Sequence, residues 1–289
     1  MSEVNFDKFK CRCSAITKMM ANSRDNPVLT ALQAQKLAKY EASTSLTDSQ
    51  KVEMAELLVR KENGQKIVLS DGCIEYLMEW YAWAVEGMIP VDREAMDIEY
   101  TRKGKSTEND CINLLSRVDK QLYTKNDIRI SNDYFTGEPD IFVGEEIMKA
   151  TKITDNKSIW DYPGFLKAIH KKPENNYIEQ VQGYMEISGA KVGEIAKTLV
   201  SMPVEIMYDY QNRLLKKMNA ISTESPDFLE EWAKWEHSML FEHIPIHKRV
   251  FKIPVQPFAA ERKQQLQDRV KICREWLWKF DEMYNQMNK

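Results

Sequence analysis

An α/β fold, with a sheet packed against helices and mostly helical segments at both ends, is predicted by three features of this 289-residue chain. Residues 1–100 and 204–289 carry the apolar rhythm of amphipathic helices. Between them the chain breaks into short β-branched runs, "DIRISNDYF", "PDIFV" and "EIMKATKITDNKSI", punctuated by Gly137-Glu138-Pro139 and Gly144. A helical pattern, "ENNYIEQVQGYMEIS", then separates those runs from an apolar strand, "EIAKTLVSMP". That order places helices against a sheet.

The elements follow in turn. "LTALQAQKLAKYEA" combines helical rhythm with strong helix formers. "LTDSQKVEMAELLVRKENG" continues it, with Gly64 as the expected C-cap. "LSDGCIEYLMEWYAWAVEG" starts at Ser70 or Asp71 as N-cap. Its rings Tyr76, Trp80, Tyr81 and Trp83 recur at helical spacing and are expected in the core. "STENDCINLLSRVDKQL" predicts a helix that begins after Gly104 and is capped by Ser106. Toward the C-terminus, "HIPIHKRVFKIPVQP" reads as a loop and one strand, and "AERKQQLQDRVKICREWLWKFDEMYNQ" as a long amphipathic helix. No internal repeat or low-complexity linker marks a domain boundary.

Composition narrows the function classes. The chain is 43% hydrophobic and 29% charged, ordinary for a globular protein. No uncharged apolar run approaches the roughly 18 residues of a membrane span, and "MSEVNFDKFK" lacks the apolar region of a signal peptide. A cytoplasmic location is therefore expected. Five cysteines, Cys11, Cys13, Cys73, Cys111 and Cys273, form no C-x-x-C pair, which argues against a disulfide framework or a four-thiolate metal site. A net charge of −3 disfavours a general polyelectrolyte binder. It is compatible with a nucleic-acid enzyme whose metal-holding carboxylates add negative charge. His170, His237, His243 and His247 show no metal-ligand spacing.

The chemistry concentrates between residues 104 and 203. Asp155 and Lys157 are two apart, so on a strand both side chains address one face. Asp140 lies on the preceding short strand, and the segment between them is of hairpin length. Two carboxylates converging on one point suit a hard cation such as Mg²⁺ or Mn²⁺. A neighbouring lysine could hold a phosphate oxygen or polarise a water. Tyr177, Gln180 and Tyr184 fall on one helical stripe, and Glu108, in a first helical turn, could add a third carboxylate. Taken singly, each has an ordinary reading: a surface ion pair, a dipole-favoured first-turn acid, an exposed helix residue. Order and spacing make them a set.

That set, "GEPD" (137–140), "DNK" (155–157) and "QVQGY" (180–184), resembles the G-x-P-D, D-x-K and Q-x-x-x-Y motifs of the PD-(D/E)XK nuclease superfamily, in the branch of phage λ exonuclease and the RecB nuclease domain. The phrases "DNKSIWDYPGF", "NNYIEQVQGYM", "RKGKSTEND" and "FKCRCSAITKMM" are similar to those of phage-borne members. "KATK" (149–152) could be aligned as a degenerate D-x-K, implying a dead site, but "DNKSIWDYPGF" fits the family phrase better. Many relatives carry an iron–sulfur cysteine cluster near the C-terminus. Here only Cys273 lies there, so a cluster-free member is expected.

The resemblance implies a restriction-endonuclease-like core, a central mixed β-sheet flanked by helices, with helical elaborations at both ends. It implies one domain over residues 1–289: a helical part (1–100), a catalytic core (101–205) and a mostly helical C-terminal part (206–289). It further implies a Mg²⁺- or Mn²⁺-dependent deoxyribonuclease. Asp140, Asp155, the backbone carbonyl of Asn156 and Glu108 would hold the metal, and Lys157, Gln180 and Tyr184 would complete the catalytic set. Ser14 and Arg12 become candidate contacts to a DNA 5′-phosphate. The cationic runs "TRKGK", with Lys103 and Lys105, and "KAIHKKPENN", with Lys171 and Lys172, are read either as DNA-backbone contacts or as solvated loops. Trp160 and Tyr162 are read either as stacking platforms for unpaired bases or as core. The expected activity is a phage-type exonuclease acting on double-stranded ends in recombination, in a ring-shaped homo-oligomer and alongside a single-strand annealing protein. The alternatives are an endonuclease or repair nuclease with the same core, and a non-catalytic DNA-binding protein on a nuclease scaffold.

Overall fold

The computed structural model describes residues 4–22, 29–63, 68–88 and 99–287. The expected cap Gly64 lies outside them. The α-helices among the described residues are α1 (Ile16–Met20), α2 (Ala31–Glu41), α3 (Asp48–Asn63), α4 (Asp71–Glu86), α5 (Glu99–Ser106), α6 (Glu108–Asp119), α7 (Tyr162–His170), α8 (Asn175–Ser188), α9 (Val204–Met218), α10 (Pro226–Met239) and α11 (Ala260–Met287). The strands are β1 (Cys11–Arg12), β2 (Thr124–Lys125), β3 (Ile130–Ser131), β4 (Phe135–Gly137), β5 (Ile141–Val143), β6 (Lys152–Ser158), β7 (Val192–Thr198) and β8 (Val250–Val255). The fold is mixed α/β, as the sequence predicts. Contacts divide the chain into two compact units, residues 1–11, 15–90 and 260–289, and residues 12–14 and 91–259.

The first unit is helical and closes around aromatic rings. Ser70 caps α4 through its hydroxyl, which accepts from the Cys73 amide. Tyr76 and Tyr81 of α4 are buried as expected, whereas Trp83 is 56% exposed. Helix α11 completes this unit. Arg274 donates to the Phe9 carbonyl from Nε and Nη2, and Asp281 accepts from the Tyr81 hydroxyl at 2.6 Å. Phe6 packs edge-on against Trp278, with centroids 4.8 Å apart.

The second unit is built on a five-stranded mixed sheet in the order β2–β5–β6–β7–β8. A smaller sheet has the order β1–β4–β3. β5 pairs antiparallel with β6, setting Ile141 opposite Thr154, and β6 runs parallel to β7 with Asp155 beside Ile195 and Lys157 beside Lys197. A parallel pair needs a crossover, and α7 and α8 supply it. One face of the sheet packs against α6 through Leu115, Tyr123, Ile141 and Ala196. The other packs against α8 through Val181, Met185, Ile195 and Val255. Among these, each buried Leu, Ile, Val or Met side chain contributes about 1.5–3 kcal/mol. The fit of α8 requires Gly193 on β7. A Cβ there would come 2.3 Å from Met185 Sδ and 2.9 Å from Val181 Cγ1.

Two local expectations are corrected. "TRKGK" is helical and lies in α5, whereas the helix expected after Gly104 is α6 and begins at Glu108. Ser106 is no cap: its hydroxyl donates back to the Arg102 carbonyl at 2.8 Å, and Thr107 occupies the N-cap position of α6. Within "EIMKATKITDNKSI", Ile147–Lys149 forms a 3₁₀ turn, and the strand starts only at Lys152. Besides α5, helix α7 was missed. Its signal was present: the Asp161 carboxylate accepts from the Gly164 amide at 2.6 Å, and Pro163 sits in the first turn.

Candidate active site

The β5–β6 register brings the two aspartates together. Asp140 immediately precedes β5 and falls opposite Asp155 on β6. Its Oδ2 accepts from the Asn156 amide at 3.0 Å. Asp155 is fully buried. Lys157, two residues on and on the same face, donates to Asp155 Oδ1 at 3.1 Å, and its Nζ is 2.9 Å from Oδ2. That second contact is off hydrogen-bond alignment, so Asp155 Oδ2 is buried without a hydrogen-bond partner.

Helix α8 presents its stripe from behind. Gln180 Nε2 donates to Asp155 Oδ1 at 3.3 Å and to the Tyr184 hydroxyl at 2.8 Å. The Lys157 ammonium lies 5.0 Å from the centre of the Tyr177 ring. Asn156 points its side chain to the opposite face, where Oδ1 accepts from the Thr198 hydroxyl at 3.0 Å. Only its backbone is left to the site.

The electrostatics are those of a centre short of positive charge. Burial, then the Asp155 charge, pushes Asp140 up from an ordinary 3.8 to about 6. Burial raises Asp155 as well, against the pull of Lys157. For Lys157 burial works the other way, but the Asp155 and Asp140 charges outweigh it and hold its pKa above the ordinary value. A buried acid pair with an orphaned oxygen fits a hard divalent cation, which takes one or two carboxylates and completes its shell with water or phosphate. Among the described residues no three His, Cys, Asp or Glu side chains converge as a ready-made cage. Glu108 is near enough to raise Asp140, but its carboxylate is bound by Lys125 at 3.1 Å.

A pH dependence follows. Between about pH 4 and pH 6 the folded protein keeps a proton on Asp140 that the unfolded chain has released. Ion-free stability therefore falls as pH rises through that window. A divalent cation binds the charged form. Mg²⁺ is expected to raise the melting temperature at pH 8 and leave it unchanged at pH 5, a comparison that thermal melts with and without the ion will check.

The remaining expected residues divide. Cys13, between the exposed Arg12 and Ser14, reaches the site. A Cβ at Gly137 would lie 3.0 Å from Cys13 Sγ and 2.6 Å from Tyr184 Cε1. This is why the G-x-P-D stretch starts with glycine: its bare backbone seats the Tyr184 ring. Gly137→Ala is expected to displace that ring, lower kcat about tenfold and cost about 1–3 kcal/mol, read by steady-state kinetics and urea denaturation. Lys105, Lys171 and Lys172 are exposed. Lys103 is a correction. It is 1% exposed, and its Nζ donates to the carbonyls of Ile159 and Trp160 at 2.7 and 2.9 Å. Helical α5 turns this side chain inward, so it cannot meet a DNA backbone.

Sequence reasoning missed Lys197. It neighbours Lys157 across the parallel ladder, and its ammonium lies 5.1 Å from the same Tyr177 ring. Burial and the Lys157 charge lower its pKa. Its signal was a lysine inside a largely apolar strand, "EIAKTLV".

Two acids and two lysines from adjacent strands, with a glutamine and a tyrosine on the helix behind, define a centre able to hold a cation and an anion side by side. The fold that carries it occurs in a phage-related exonuclease from Haemophilus somnus 129PT, 20% identical over 97% of each chain with a TM-score of 0.56. It also occurs in the alkaline exonuclease LHK-Exo from Laribacter hongkongensis, 10% identical over 98% of this chain and 94% of that one with a TM-score of 0.53. A complex of LHK-Exo with dAMP matches over 100% of this chain and 98% of that one, with 12% identity and a TM-score of 0.52. Comparison by sequence finds no matching family model and no matching curated relative. The chain thus has the fold of phage-related and alkaline exonucleases, the fold implied by its motifs.

Proposed function

We propose that the protein is a divalent-metal-dependent DNA exonuclease of the phage recombination type, digesting double-stranded DNA from its ends. The observation that carries this reading is the meeting of Asp140 and Asp155 at the end of the β5–β6 ladder, with the Lys157 ammonium 2.9 Å from the buried Asp155 Oδ2. The exonuclease fold and the bound dAMP in one neighbour support it.

Asp140, Asp155 and the Asn156 backbone would hold Mg²⁺ or Mn²⁺, whose charge would draw electron density from the scissile phosphate and the attacking water. Lys157 orients that water or offsets the extra negative charge of the transition state. Gln180 fixes the Asp155 carboxylate while bonded to Tyr184. Lys197 adds a second ammonium facing an incoming phosphate. Ser14 and Arg12, flanking Cys13, would contact the 5′-phosphate, and Lys105, Lys171 and Lys172 the backbone beyond. A ring-shaped homo-oligomer and a single-strand annealing partner belong to the same reading.

The test is a time course on linear duplex DNA labelled at the 5′ or the 3′ end, beside a covalently closed circle, with Mg²⁺ and with chelator. Stepwise shortening of the linear substrate with an intact circle supports the proposal. Cutting of the circle would make the protein an endonuclease, and the absence of any metal-dependent hydrolysis would leave a binding protein.

A further inference from the structure

A cavity of about 750 Å³ lies beside the candidate active site but outside it. Its lining includes Trp160, Tyr162, Tyr210, Trp235, His237 and His243. From the geometry we infer that it is a subsite for an unpaired base of single-stranded DNA. The inference rests on the nuclease reading and deepens it.

Position comes first. Trp160 lies three residues beyond Lys157 on the chain leaving β6. Three residues span at most about 10 Å even when fully extended, roughly three base steps of a strand. A strand whose phosphate sits at Lys157 can therefore deliver a base here.

The walls come second. Trp160, Tyr210 and Trp235 rest on the buried cluster Met202, Ile206 and Met239, but remain only partly buried themselves. Trp160 and Tyr210 are 6.4 Å apart, and Tyr210 and Trp235 6.3 Å, so three ring systems follow one another along the cavity. A volume of this size lies within the range of small-ligand sites.

Charge comes third. Two of the rings carry a cation, the Arg213 guanidinium 5.0 Å from Tyr210 and the Lys217 ammonium 5.2 Å from Trp235, whereas the Lys103 ammonium near Trp160 is buried on the Ile159 and Trp160 carbonyls. Glu99 holds Arg213, while Lys217 is exposed at the helix surface. Stacking rings interleaved with cations are the means by which proteins hold single strands without reading sequence. His237 and His243, stacked on each other at 4.6 Å, supply ring nitrogens for a base edge.

The experiment uses the full chain carrying Asp155→Asn, in chelator, so that no substrate is lost. Tryptophan fluorescence follows titration with a single-stranded oligonucleotide about eight nucleotides long, with an abasic strand of equal length and with a blunt duplex. Expected is binding of the normal strand on the order of tenfold tighter than of the abasic one. Tyr162→Ala, at the exposed rim, and Trp235→Leu should each erase that difference while leaving duplex affinity unchanged. Equal affinity for normal and abasic strands in the parent protein overturns the inference, as does a difference that survives both substitutions. Neither result touches the nuclease reading, which is decided by hydrolysis in the wild type. Conversely, base-dependent binding in a chain that never hydrolyses DNA would keep the subsite and remove the enzyme.

Discussion

Asp155→Asn is expected to lower Mg²⁺-dependent hydrolysis of linear duplex DNA by at least about a thousandfold, since metal and charge stabilisation at a transition state are worth several kcal/mol. The substitution strips the site of more than one contact. Asp155 is the acid to which both Lys157 and Gln180 donate, and its buried Oδ2 has the Lys157 ammonium at 2.9 Å but no hydrogen-bond partner. Asparagine keeps the shape and offers one carbonyl oxygen to Gln180. It supplies no negative charge for a cation and turns an NH₂ group toward the Lys157 ammonium. Stability should respond little. Burial raises the Asp155 pKa, so its charged form opposes folding at neutral pH, and removing that cost offsets the loss of the lysine pair. A melting temperature within about 3 °C of the parent, together with lost turnover, would separate chemistry from folding. Retained hydrolysis would place the active site elsewhere.

The largest expected loss of stability belongs to Lys103→Met. Methionine preserves the buried stem, but the carbonyls of Ile159 and Trp160 lose their donor inside the protein. Hydrogen bonds to a charged group are worth about 1.5–3 kcal/mol each and buried carbonyls left unpaired are costly; removing the burial cost of the ammonium offsets part of this, so a net loss of about 2–3 kcal/mol is expected in urea denaturation. The same lysine should give the stability curve a slope at alkaline pH. Burial lowers its pKa from 10.5 to about 8, so above pH 8 the folded protein releases a proton that the unfolded chain still holds, and stability rises toward pH 10.5. That slope should vanish in Lys103→Met. Because Lys103 anchors the chain leaving β6, activity should also fall, with a change in kcat larger than that in KM.

What the sequence made legible was whatever repeats at short range. Asp155 and Lys157 share a face because strand side chains alternate, and Gln180 and Tyr184 share a stripe because helices turn every 3.6 residues. The meeting of Asp140 with Asp155 could be read from hairpin length alone. The misreadings came from tertiary choices that local pattern does not contain. "TRKGK" looks like a basic surface loop, yet α5 absorbs it, and Lys103 goes inward because two strand-end carbonyls await a donor there. Lys197 escaped notice because the parallel register of β6 with β7, set through a crossover of more than 30 residues, is what puts it beside Lys157. The cavity around Trp235 depends on α9 and α10, far along the chain from the motifs. Glu108 shows the converse: its expected neighbourhood is observed, but Lys125 binds its carboxylate.

The helical unit joins the start of the chain to its last thirty residues, with Arg274 on the Phe9 carbonyl and Asp281 on the Tyr81 hydroxyl. Helix α11 therefore closes an interior whose other walls are Phe6, Phe9 and α4, contributed from more than 170 residues away in sequence. Cutting the chain before Ala260 would strip those rings of their cover, a damage that protease sensitivity near residue 9 would report.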